Sequence, residues 1–206
     1  MRKSLIGISA AIAMAVTSNA AFADAAKPGQ SMTHIKTIAG ISSTLESAGI
    51  ILYVQGGATA GVIGESVSAA DGQVVFHVPV TGNKGGVQHV GSNIVFFNTA
   101  NNKQVQLRNP LIDLKKGVVS TVIPQASEKA IDVLTITNAS SLKATVTNDR
   151  KALLKTTAYK GATLSLAPGI AAALASLLGL PEGALPEALA FATADVTLYS
   201  TIAKKK

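Results

Sequence analysis

Three histidines, His34, His77 and His89, and three tyrosines, Tyr53, Tyr159 and Tyr199, are the side chains of this 206-residue chain best able to hold a metal or move a proton. The histidines share no metal-ligand spacing, and no acidic pair stands beside any of them. The chain has no cysteine, which excludes thiol catalysis and thiolate-bound metals. Gly56-Gly57-Ala58-Thr59-Ala60-Gly61 has the glycine spacing of a phosphate loop, but Val62-Ile63 stand where Lys and Ser/Thr are required, so a turn is expected. Gly64-Glu65-Ser66-Val67-Ser68 lacks the second glycine of a nucleophile elbow. No stretch suggests paired carboxylates for acid–base work, and the expectation is a protein that is not an enzyme.

The elements that would position these residues are mostly strands. Ile35, Ile38, Ile41, Leu45 and Ala48 recur at helical spacing, predicting one amphipathic helix over 33–48 that stops at Gly49. His34 is then exposed near its start. Ile50 to Val54 is a short β-branched run, expected as a buried strand. Val74, Phe76, Val78 and Val80 alternate with Val75, His77 and Pro79, which makes a strand with His77 on its solvated face.

Further strands are expected over 87–97, disturbed at Gly91, and over 105–114, interrupted at Asn109-Pro110 where the missing N–H favours an edge or a bulge. Others are expected at 118–123, 131–137, 142–147 and 162–166. Pro168 opens a helix that Gly179 and Pro181 close, and Pro186 starts a short second turn. Val196, Leu198, Ser200 and Ile202 mark a closing strand. Many short strands joined by tight turns predict a mainly β fold: an antiparallel sandwich or partly closed barrel, with an N-terminal and a C-terminal helix packed on it.

The chain start reads as an export signal. Met1-Arg2-Lys3 supplies positive charge, Leu5 to Val16 an apolar core, and Ala21-Phe22-Ala23 small residues at −3 and −1. Residues 1–23 are therefore expected to be a cleaved signal peptide, 24–32 a flexible lead, 33–202 a single β-rich domain and 203–206 a basic tail. The product is expected to be secreted or attached at the cell surface, with no transmembrane segment once the signal is gone. The formal charge of +7 includes Arg2, Lys3 and the three C-terminal lysines, which leaves the domain near +2. That charge, with no Trp, five Phe and three Tyr, argues against nucleic acid as a partner.

The order of these elements resembles the HtaA domain, a module of exported actinobacterial haem-uptake proteins. Leu52-Tyr53-Val54-Gln55-Gly56-Gly57-Ala58 is similar to the family's early Tyr-x-x-Gly segment. Gly86-Val87-Gln88-His89-Val90-Gly91, followed by Val105-Gln106-Leu107-Arg108-Asn109-Pro110-Leu111-Ile112, is similar to its His-x-Gly and Leu-x-Asn/Ser-Pro strands. Leu164-Ser165-Leu166-Ala167-Pro168-Gly169-Ile170-Ala171-Ala172 is similar to its Gly-Ala-Ala helix start. The three stretches fall within residues 33–202.

The resemblance implies haem as cofactor, Tyr53 as the axial iron ligand and His89 as its pocket partner. Tyrosinate is a sound Fe(III) ligand. The segment departs from the family in two respects: Gly49 replaces a serine one turn earlier, and Ile50-Ile51 turn a helical context into a strand. From the residues alone, Tyr53 reads as a core or sheet-edge tyrosine rather than a ligand, and His89 as a strand histidine with a hydrogen-bonded ring. Two functions follow. One is an exported, non-catalytic ligand-binding module that takes haem. The other is a structural or interaction protein of the cell envelope whose partner is another envelope protein.

Overall fold

The computed structural model describes residues 30–63 and 72–202. The segment expected as a signal peptide, most of the expected lead, the three C-terminal lysines and the serine stretch at 64–68 lie outside the described residues. In chain order the elements are β1 (Met32–Thr37), α1 (Ile41–Ser47), β2 (Ile50–Gly56), β3 (Thr59–Ile63), β4 (Gln73–Pro79), β5 (Val87–Gln88), β6 (Ser92–Asn98) and β7 (Gln104–Asp113). There follow β8 (Val118–Ile123), β9 (Ser127–Ile136), a 3₁₀ turn at Ala139–Ser141, β10 (Thr145–Asp149), β11 (Leu154–Leu166), α2 (Ile170–Leu178) and β12 (Ala190–Thr201).

The strands form one antiparallel sheet in the order β2-β6-β7-β8-β9-β11-β12-β1-β4-β3, with β10 on β11 and β5 on β7. Its two ends, β2 and β3, are consecutive in sequence and joined only by Gly57-Ala58. The sheet therefore curls round until its ends meet, giving a nearly closed barrel with two helices. The tight turn needs its glycine: Gly56 has φ 74°, and a Cβ there would collide with the Gly91 carbonyl. One face of the sheet points inward. Ile35, Phe76, Val78, Ile94, Phe96, Leu107, Leu164 and Val196 belong to the core that fills it.

The helix expected over 33–48 is mostly a strand. Ile35, Ile38, Ile41 and Leu45 fit a helical period, but Thr33, Ile35 and Thr37 also alternate with His34 and Lys36. Pairing on both sides, with β4 and β12, decides the matter. Gly40, at φ 82°, then turns the chain into α1, which is only seven residues long. α1 buries Ile41, Ser42 and Leu45 and packs against β2 and β4, beside the seam.

β2 exists as expected but is a sheet-end strand rather than a buried one: of its residues only Ile50 is buried. The expected strand over 87–97 is two strands, separated by His89-Val90-Gly91. The interruption at Asn109-Pro110 is a bulge with Asn109 at φ 53°. α2 begins after Pro168-Gly169 and ends at Gly179, φ 68°. The buried Asn98 and the neighbouring Asn101 each donate a 2.9 Å bond to the Leu178 carbonyl, satisfying an end of α2 that has no intrahelical donor. A short turn at Glu187-Ala188 follows Pro186, as expected. β12 carries the buried Val196, as expected, and runs between β11 and β1.

Candidate functional site

His89 lies in the gap between β5 and β6, where the chain leaves the sheet and returns at Ser92. Gly91, at φ 82°, makes the turn, and its N–H is held by Asn109 Oδ1 at 2.8 Å. The bulge that Asn109 creates aims the Pro110 carbonyl at His89. That carbonyl accepts the His89 backbone N–H at 3.0 Å and stands 3.0 Å from ring Nδ1. A carbonyl only accepts, so Nδ1 carries the proton. Nε2, 2.8 Å from Thr33 Oγ1, then accepts the threonine hydroxyl.

The ring is 1% exposed, and Thr33 is fully buried. Burial pushes the His89 pKa below its usual value, and the Pro110 carbonyl partly opposes this. His89 is thus a neutral imidazole with both nitrogens engaged, and the lone pair that would meet an iron already takes a hydroxyl proton. Beside it, among Ile35, Val78, Ile94 and Leu164, is an apolar hollow of about 30 Å³. That is room for about one water, whereas small-molecule sites run to roughly 300–1,000 Å³.

Tyr53 sits on the other side of the sheet. In β2 it stands opposite Val95 of β6, while its neighbours Leu52 and Val54 stand opposite the core residues Phe96 and Ile94. Successive side chains of a strand point to opposite faces. Leu52 and Val54 therefore face the interior and Tyr53 faces out. Its hydroxyl donates to Gln104 Oε1 at 2.8 Å, and the side chain is half-buried. The wall of the barrel stands between Tyr53 and His89, so the structure does not bring the two residues together.

The remaining histidines do meet. His34 is in β1, not at a helix start, and stands directly opposite His77 of β4. The rings are edge-to-face with centroids 4.7 Å apart, and both side chains are half-buried rather than fully solvated. On the other side of His34, Asp195 of β12 is its register partner, and its Oδ1 accepts the Gly161 N–H at 2.7 Å. Burial and the facing His77 lower the His34 pKa, against the raising effect of Asp195. Sequence reading missed this pair because the two residues are adjacent only across a strand pairing between distant segments. The period-two pattern of 33–37 is the one local signal that would have suggested it.

At the seam, β2 pairs only with β6 and β3 only with β4 among the described residues. Ile51, Val62 and Ile63 are 43%, 37% and 49% exposed there. β3 carries no charge and no proline, the usual protections of a sheet edge. Among the described residues, no helix is long and apolar enough to cross a membrane. Compared with protein-family models, curated proteins and solved structures, the chain shows no match in any of the three.

Proposed function

We propose that the protein is an exported, non-catalytic interaction module of the cell envelope that takes its partner along the seam edges β2 and β3. The observation that carries this reading is the pair of adjacent sheet ends bearing exposed Ile51, Val62 and Ile63. An edge strand offers a row of backbone donors and acceptors to an added strand, and apolar side chains beside it supply burial. The charged start, apolar core and Ala-x-Ala order of residues 1–23 support export. The filled interior supports a surface-acting module over one that encloses a ligand.

A second reading is haem binding through Tyr53 alone, on the outer face. It is favoured by the half-exposed phenol, which has the neutral Gln104 as its hydrogen-bond partner, and by the three stretches similar to the HtaA domain. A phenolate is a suitable Fe(III) ligand. His89 has no part in either reading beyond holding the fold.

The test is cell fractionation. The wild-type protein is expected with the envelope, and Ile63→Lys, which places a charge on the β3 edge, is expected to be released into the soluble fraction. If both fractionate alike, the seam is not the interaction surface.

A further inference from the structure

We propose that His34 and His77 form a binding site for a divalent transition-metal ion, of the copper, nickel and zinc kind, on the outer face of the sheet. Directly opposed residues on antiparallel strands hold their Cβ atoms about 4.5–5.5 Å apart. The two imidazoles therefore leave neighbouring strands side by side, with ring centroids 4.7 Å apart. Two nitrogens ligating one ion at about 2.0–2.1 Å each must come within roughly 3–4 Å of one another. Small rotations about the side-chain torsions bring opposed rings to that separation, and the strand pairing keeps them there. The backbone pays no ordering cost, because β1 is already fixed between β4 and β12.

The ligand chemistry selects the ion. Imidazole suits zinc, copper and nickel, whereas calcium and magnesium take oxygen ligands. Among the described residues neither imidazole has a hydrogen-bond partner, in contrast to His89, whose two nitrogens are both taken. Asp195, in register with His34 on β12, adds a negative charge beside the ion while its Oδ1 stays on Gly161 N–H. Lys36, two residues along β1 on the same face, is the nearest opposing charge in sequence. No group of three or more His, Asp or Glu among the described residues closes a full ligand set, so water completes the coordination. A two-imidazole site of this kind should follow the general affinity order, with Cu²⁺ tightest.

The experiment uses the full chain without an affinity tag, stripped with chelator and titrated with CuCl₂, NiCl₂ and ZnCl₂. Calorimetry is expected to show one ion per chain, with Cu²⁺ bound most tightly. The Cu²⁺ electron paramagnetic resonance spectrum should show two coupled nitrogens. His34→Gln and His77→Gln, each at the outer face, should keep the circular dichroism spectrum and lose about tenfold or more in affinity. Sub-stoichiometric Cu²⁺ should broaden amide signals of β1 and β4 first. Failure to bind Cu²⁺ at 100 μM, equal affinity in the double variant, or broadening centred elsewhere would each overturn the site.

Discussion

Thr33 and His89, 56 residues apart in sequence, are joined inside the barrel by a 2.8 Å hydrogen bond from the threonine hydroxyl to imidazole Nε2. The bond ties β1, third from the β3 end of the sheet order, to the gap between β5 and β6. Pro110 of β7 holds the other ring nitrogen. A polar triad of this kind in an apolar interior specifies one register, because any slip leaves a buried group without a partner.

Removing one member should therefore leave its partner buried without a hydrogen bond. Thr33→Val leaves Nε2 buried and unbonded, and is expected to lower stability by about 1–3 kcal/mol in urea unfolding. His89→Leu alone should also destabilise, and the Thr33→Val/His89→Leu double variant should lose less than the two losses added together. Strict additivity would show that the hydrogen bond contributes nothing.

Stability should fall on acidification. His89 and His34 both titrate below the ordinary histidine value of about 6.5 in the folded protein. On acidification the unfolded chain takes up protons first, which favours unfolding. The contribution is complete above about pH 6.5, declines as the pH falls towards the lowered folded values, and levels off below them. Urea midpoints at pH 7.5, 6.5, 5.5 and 4.5 should trace this decline, and His89→Gln should flatten part of it. A midpoint constant over that range in the wild type would contradict the buried neutral imidazole.

The last strand should be indispensable. β12 pairs with β11 along most of its length and with β1 on its other side, and it buries Ala192, Ala194 and Val196. Deleting 190–206 takes one partner from each of β11 and β1 and opens the core. The expected result is loss of the cooperative thermal transition. A truncated chain that melts like the full one would remove β12 from the folding unit.

Haemin, if it binds through iron, should depend on one residue and not the other. Tyr53→Phe should abolish a tyrosinate charge-transfer band, and a folded His89→Gln should leave that band unchanged, since the sheet separates the two side chains. Loss of the band in His89→Gln would place both residues at one iron and contradict the observed faces.

Much of the fold was legible where local signals agreed. The strand expected at 118–123 is β8, and α2 follows from Pro168 before it and Gly179 after it. β1 was not legible, because its isoleucines satisfy a helical period as well as alternation, and only pairing with β4 and β12 separates the two. The burial of Ile50–Val54 was misjudged because a strand's burial depends on its place in the sheet order, which no local pattern encodes. The site suffered for the same reason. The parity that turns Tyr53 outward is set by its register against β6. The turn that drops His89 inward needs Gly91 and the Asn109 bulge together, from segments 18 residues apart.

The claim that the protein acts through its seam is tested most directly by amide hydrogen exchange on the purified chain, with and without isolated cell envelopes. Added protection is expected over residues 50–56 and 59–63, the two sheet ends, and is expected to disappear in Ile63→Lys. Protection confined to other strands, or no change in exchange on adding envelopes, would contradict it.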